Sequence, residues 1–152
     1  MAVAYQIRPA LLADVAELAR LEPRCFSDPW SPGGFQEMLE SPYSFGLLAE
    51  LKSGQLGGYL VARSVDQEGE ILNLAVAPER RRNGLGGRLL EAGLDALKTR
   101  GVADVFLEVR ASNEPAIAMY LAHGFRPMGR RREYYRKPVE DAMVLRRALG
   151  DR

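Results

Sequence analysis

The stretch RRRNGLGGRLL, Arg80 to Leu90, sets three arginines and then three glycines ahead of a leucine-rich run. Glycine lets the backbone turn tightly and approach a ligand, and arginine attracts phosphate. The first N–H groups of a helix lack partners and lie at the positive end of its dipole. Downstream, Leu89, Leu90, Leu94 and Leu97 share one helical face and Gly101 stands where the helix should stop. Upstream, Glu70 to Val76 has strand composition. The stretch is thus a strand-to-helix turn suited to holding an anion, with a plain turn as the alternative reading. A Walker-type loop requires Lys and then Ser or Thr after its last glycine, whereas Arg88 and Leu89 stand here. A dinucleotide fingerprint lacks its third glycine, with Leu89 in that place, and the preceding strand reads as the end of a meander rather than the opening of a βαβ unit.

Working outward from this turn, Tyr5 to Arg8 reads as an opening strand and Ala10 to Leu21 as a helix, with Leu11, Val15, Leu18 and Leu21 at helical spacing. A short helix is expected from Phe35 to Leu39, between Gly34 and Ser41-Pro42. Phe45 to Leu51, Gly58 to Val65 and Glu70 to Val76 form a strand meander, and connections this short imply antiparallel neighbours. Beyond the glycines come a strand at Asp104 to Val109, a helix at Glu114 to Ala122 capped by Ser112 or Asn113, and two strands parted near Pro138. The expected fold class is α/β, a single domain over residues 1–152 with a mixed, mostly antiparallel sheet of about seven strands flanked by about four helices.

Composition narrows the partners. Twenty-one Lys and Arg against twenty Asp and Glu give a formal charge of +1, which argues against a surface-wide attraction to nucleic acid or membrane. Anion binding must therefore be local. The single Cys25 cannot close an intrachain disulfide, the opening MAVAYQIRPA lacks the apolar stretch of a secretory signal, and no run reaches membrane-spanning length. A cytoplasmic protein, monomeric or weakly dimeric, is expected.

ILNLAVAPERRRNGLG, Ile71 to Gly86, resembles the acyl-coenzyme A signature of the Gcn5-related N-acetyltransferases, a strand through Val76 followed by R/Q-x-x-G-x-G/A at Arg81, Gly84 and Gly86. ASNEPAIAMYLAHGF, Ala111 to Phe125, is similar to that family's second landmark. The resemblance implies acetyl-CoA as cosubstrate. Leu74, Ala75 and Val76 would hold its pantetheine arm, Arg81, Arg82, Asn83, Gly84, Leu85, Gly86 and Gly87 its pyrophosphate, and Asn113 would add a further contact. Tyr120 then falls near the sulfur.

Acetyl transfer to an amine requires a neutral amine, a positioned thioester, donors for the developing oxyanion and a proton for the departing thiolate. In VFLEV, Val105, Leu107 and Val109 share one strand face while Phe106 and Glu108 share the other, placing a carboxylate on a strand that reads as buried. Burial would raise its pKa toward a value useful in a base, whereas on a solvated face it would pair with an arginine. LEVRASN, Leu107 to Asn113, resembles the RimI-type branch, in which this Glu accepts the proton. Tyr120 becomes the proton donor, although passing a proton from a phenol near pKa 10 to a thiolate near 8.5 is uphill by roughly 2 kcal/mol. It would otherwise stabilise the thiolate by hydrogen bonding. Backbone N–H groups near Leu74 to Val76 are the oxyanion candidates, and no metal-ligand cluster appears. His123 reads as part of a helix C-terminal cap, and Cys25 as a small buried residue rather than an acetyl carrier.

CFSDPWS, Cys25 to Ser31, and RRREYYRKPVEDAMVL, Arg130 to Leu145, are similar to the segments flanking the peptide groove of the same branch, which nominates Trp30, Tyr134 and Tyr135 for acceptor binding. Two departures fall there: the proline usually following the paired tyrosines is displaced to Pro138, and Glu133 stands where Asn is common. The resemblance implies a protein partner, the N-terminal alanine of the eighteenth small-subunit ribosomal protein. Transfer to a lysine ε-amine or small amine, and a non-catalytic acyl-CoA-binding module, are the alternatives. Neither membrane attachment nor direct nucleic-acid binding is expected.

Overall fold

Short turns join the second, third and fourth strands into hairpins, and the crossover between parallel strands falls at the glycine stretch. The computed structural model describes residues 4–150. Seven strands, β1 (Tyr5–Pro9), β2 (Ser44–Leu51), β3 (Leu56–Val65), β4 (Glu68–Val76), β5 (Asp104–Arg110), β6 (Arg126–Tyr135) and β7 (Glu140–Ala148), form one sheet in the order β1-β2-β3-β4-β5-β7-β6. Four α-helices accompany them: α1 (Val15–Cys25), α2 (Pro32–Glu40), α3 (Leu85–Thr99) and α4 (Glu114–Ala122).

Every neighbouring pair is antiparallel except β4 with β5, which run parallel with α3 as their crossover. The strand before the glycines therefore both ends the meander and opens a βαβ unit, which corrects the sequence reading. A meander strand can do both because its second edge is still available for pairing when the chain returns from α3.

The sheet separates two apolar layers. Leu85, Leu89, Leu90, Leu94 and Leu97 of α3 pack on Leu60, Ile71, Val105, Leu107 and Leu145, with Tyr120 and Phe125 in the same layer. On the opposite face Leu18 and Leu21 of α1 and Phe35 and Met38 of α2 cover Leu48, Tyr59, Val61 and Ala75. Burying a leucine or phenylalanine side chain contributes about 1.5–3 kcal/mol, so these layers hold the helices to the sheet.

Two helix boundaries differ from expectation. The Asp14 carboxylate accepts the Leu11 N–H at 2.8 Å and pairs with Arg8 at 2.9 Å, ending a 3-10 turn at Leu12–Asp14. The α-helix thus starts at Val15, and Leu11 is exposed rather than on the buried stripe. In α2 the Ser31 hydroxyl accepts the Gly34 N–H at 3.1 Å, so Pro32, Gly33 and Gly34 form the first turn instead of preceding it.

Candidate active site

The parallel pair β4 and β5 is short. Glu68 to Ile71 pair with Asp104 to Leu107, after which β4 continues only beside β3 and β5 only beside β7. The two strands therefore diverge into a cleft. Peptide groups of Leu72 to Val76 facing away from β3 lose a strand partner there, and Glu108 is the first residue of β5 beyond the last pair. A one-residue bulge at Leu72, where Val61 faces Asn73 and Ala62 faces Ile71, turns β4 at the start of this opening.

At the far end of β4 the chain makes its glycine turn. Arg81 Nε donates to the Val76 carbonyl at 3.0 Å, which fixes the turn to its strand. Arg82 and Gly84 take φ values of +70° and +77°, so the loop curls through two left-handed residues before α3. No side chain caps α3. The first amide to find a helical acceptor is that of Arg88, on the Gly84 carbonyl at 3.1 Å, which leaves the N–H groups of Leu85, Gly86 and Gly87 available to an anion. A Cβ on Gly84 would meet nothing within 4 Å, so the ledge is open, whereas one on Gly87 would meet the His123 ring at 3.2 Å. Gly84 supplies conformation and clearance, and Gly87 supplies close packing of α3 on α4. These residues fit a pyrophosphate.

Helix α4 packs in the same layer as α3. The Asn113 side chain accepts the Ala116 N–H at 3.3 Å as its N-cap. His123 closes the C-terminus, its N–H on Met119 and Tyr120 carbonyls and its Nδ1 2.8 Å from the Met119 carbonyl oxygen, as the sequence implied. Tyr120 is 7% exposed and packs edge-on to Phe125 at 5.6 Å. Burial, followed by the nearby Tyr135, pushes its pKa above the usual phenol value, opposite to the lowering that easy proton donation requires.

Of the two readings that VFLEV leaves open for Glu108, a buried lone carboxylate or one paired with an arginine, the structure shows the second. Arg131 of β6 pairs with it at 2.9 Å, and the Arg131 side chain is 58% exposed. The pairing arises because β7 separates β5 from β6 by one strand, letting a long side chain reach across. Glu70 of β4 lies close by, its pKa raised by burial and by the Glu108 charge. Both carboxylates and Arg131 line a surface cavity of about 1060 Å³. Tyr134 also feels Glu108, its pKa raised first by burial and then by that charge.

Trp30, Leu72 and Tyr43 line a second cavity of about 510 Å³, and Arg63 borders both. Trp30 therefore stands at one flank of the opening. Tyr134 and Tyr135 stand at the other, their rings 5.0 Å apart and nearly perpendicular. Arg110, two residues beyond Glu108, ties the flanks together. It donates to the Arg136 carbonyl at 2.7 Å, the Pro138 carbonyl at 3.0 Å and Glu140 at 3.2 Å, reaches Ser27 at 3.5 Å, and lies over the Tyr135 ring at 4.6 Å. Cys25 is half-buried with Sγ 3.5 Å from the Val76 carbonyl oxygen, and burial raises its pKa, which suits a packing residue and not a nucleophile.

The sequence reading missed Glu22, Glu70 and Arg110. A signal existed for Glu22, which follows Leu18 by one helical turn and so sits on the buried stripe. None existed for Arg110, whose partners are distant in the chain. Among the described residues no cluster of metal-ligating side chains occurs, and no helix is long and apolar enough to cross a membrane.

The parallel pair splays beside an uncapped helix N-terminus, with a carboxylate at the point of divergence. The chain matches the Acetyltransferase (GNAT) family over residues 15–125, and it belongs to that family. It is 39% identical to the N-alpha-acetyltransferase RimI of Mycobacterium tuberculosis, across 91% of this chain and 89% of that one. The crystal structure of the Escherichia coli ribosomal-protein-S18-alanine N-acetyltransferase superposes with a TM-score of 0.90 at 32% identity, covering 98% of this chain and 96% of the other. A NatC complex bound to Gag peptide and CoA contains a chain that superposes at 0.83 with 25% identity, covering 99% of this chain and 100% of that chain.

Proposed function

We propose that this chain transfers an acetyl group from acetyl-CoA directly to the α-amine of a protein N-terminus, with the N-terminal alanine of ribosomal protein bS18 as acceptor. The observation that carries the reading is the divergence of β4 from β5 immediately before Glu108, which places one carboxylate where the two strands part. Similarity to relatives named as bS18-alanine N-acetyltransferases, 37% over 134 residues for that of Escherichia coli, supports the choice of acceptor.

Bound along β4 and the glycine turn, acetyl-CoA supplies a thioester carbonyl and a thiolate leaving group. The amides of Leu85, Gly86 and Gly87 hold phosphate oxygens, Arg81, Arg82 and Asn83 border them, and Asn113 contributes from the start of α4. The edge of Leu74 to Val76 that faces away from β3 aligns the acyl arm and provides N–H donors for the negative charge developing on the acyl oxygen.

Glu108, paired with Arg131, accepts the amine proton directly or through water. Arg131 is exposed enough to swing aside as the acceptor enters. An α-amine with pKa near 8 is substantially neutral at physiological pH, whereas a lysine near 10.4 is neutral only about once in several hundred or more. A carboxylate base therefore matches an N-terminus better than a lysine. Tyr120 faces the departing sulfur, and its raised pKa favours the hydrogen-bonding role over outright proton transfer. Trp30, Tyr134 and Tyr135 flank the acceptor. The working compartment is the cytoplasm, where ribosomal proteins are available.

Thiol release from acetyl-CoA, followed with a peptide beginning Ala-Arg-Tyr and with its N-terminally blocked, lysine-containing twin, tests this reading. Turnover only with the free N-terminus is expected. Turnover with the blocked twin would transfer the chain to the lysine class, and cofactor binding without turnover on either would favour a silent acyl-CoA-binding module.

A further inference from the structure

Glu22 is the one charged side chain in the core among the described residues, 1% exposed at the end of α1's buried stripe. A carboxylate in such a place is costly unless donors surround it, and an apolar residue of similar volume often serves stability as well. Donors do surround it, and each comes from a different part of the chain. The Tyr59 hydroxyl of β3 and the Asn73 Nδ2 of β4, the latter at 2.8 Å, both donate to Oε1, while the Trp30 backbone N–H donates to Oε2 at 3.1 Å.

These contacts close a ring. The Trp30 indole lies 5.2 Å from Phe35, and Phe35 lies 5.8 Å edge-on to Tyr59, whose hydroxyl returns to Glu22. Asn73 adjoins the bulge at Leu72 and immediately precedes Leu74 to Val76. Trp30 and Leu72 line one cavity. The carboxylate thus joins the loop at one flank of the cleft to the strand that opens it. All three partners donate, so the site calls for an acceptor with both oxygens free, which an ionised carboxylate provides and an amide does not.

We propose that Glu22 is a positioning residue for acetyl transfer: it fixes the Trp30 loop on the acceptor side to Asn73 of β4 on the cofactor side and so holds the two substrates' surfaces in register. The inference rests on the reading of Trp30 and β4 given under Proposed function. Its physical core, the tether between loop and strand, does not depend on which amine is acetylated.

Glu22→Gln tests it, because the amide fills the same volume and keeps one oxygen. Oxygen on the side of Tyr59 and Asn73 satisfies two donors, so the NH₂ group faces the Trp30 N–H and the loop is released. Trp30 is the only tryptophan in the chain and reports on the loop directly. The expected result is a redder Trp emission more readily quenched by acrylamide, together with a rise of about tenfold in the acceptor KM, the worth of one hydrogen bond to a charged group. The acetyl-CoA KM should stay within about twofold, since the amides of α3 are untouched.

Tyr59→Phe removes a donor without freeing Trp30 and serves as the structural control: melting temperature should fall while emission and acceptor KM hold. If Glu22→Gln lowers only the melting temperature, or raises both KM values alike, the positioning role is overturned. A moved emission with an unmoved acceptor KM would overturn it as well. Should Glu22→Gln fail to fold, Asn73→Ala cuts the same tether from the strand and is judged by the same split in KM. Kinetics are run with whichever amine turns over, and the emission arm needs none, so loss of the α-amine reading leaves this test intact.

Discussion

The two sides of the cleft are built in opposite ways. The proposed cofactor side, the end of β4 with the turn and the first residues of α3, is made of backbone: two left-handed residues, an uncapped helix and three available amides. The proposed acceptor side is made of side chains from distant segments, with Glu22 holding Trp30, Arg110 holding the β6–β7 turn, and Arg131 resting on Glu108. Backbone suits a ligand that never changes. Side chains can be exchanged one at a time, so an acceptor surface built this way can diverge while the cofactor surface stays fixed.

That contrast predicts how each side breaks. Glu108→Gln should cause the largest loss, roughly 10²- to 10⁴-fold in kcat, because it deletes the proposed proton acceptor. Isothermal titration with acetyl-CoA should find binding unaltered, and a parallel loss of binding would mean that Glu108 belongs to the cofactor side instead. Gly84→Val comes next. A β-branched residue at φ +77° carries about 1–3 kcal/mol of strain, so the KM for acetyl-CoA should rise about tenfold or more while that for the peptide barely moves. Equal effects on both would dissolve the distinction between the two sides.

The smallest effect lies away from the cleft. Asp14 is held below the usual carboxylate range, first by its hydrogen bonds with Arg8 and also by the Leu11 N–H. A carboxyl depressed in the fold contributes stability above its unfolded pKa and loses it as pH falls through the folded value. Asp14→Ala should therefore cost about 1 kcal/mol at neutral pH, the usual worth of such a cap. The deficit should shrink in acid, once the carboxyl of the unsubstituted chain is protonated as well. Urea melts at pH 7 and in strong acid measure the difference, and unchanged turnover at pH 7 would show that the effect stops at stability.

The same contrast explains what was legible in the sequence. The turn could be read because a positive φ is written into the chain as glycine, and Glu108 because strand alternation in VFLEV assigns it a face. The helix Glu114–Ala122 was bounded by Asn113 and by His123-Gly124, which are local signals. What escaped was non-local. The parallel pairing of β4 with β5 depends on where the chain lands after α3, and no residue in β4 announces it. The late start of α1 follows from Asp14 meeting Arg8 of the preceding strand, a contact that outcompetes the helical spacing of Leu11. Glu108 was placed correctly on its strand and an arginine was among its expected partners, but which arginine was not legible, since Arg131 reaches it from beyond an intervening strand. Glu22 lies just past the helix expected over Ala10 to Leu21, and although its spacing from Leu18 puts it on the buried stripe, its partners Tyr59, Asn73 and Trp30 come from distant segments.

The most direct test of the whole account is where the acetyl group ends up. A peptide beginning with alanine and containing an unblocked lysine is incubated with acetyl-CoA and the protein, and the product is fragmented in a mass spectrometer. The account predicts one acetyl group on the α-nitrogen of the alanine, with the lysine unmodified. An acetyl group on the lysine, with the N-terminus free, would contradict it.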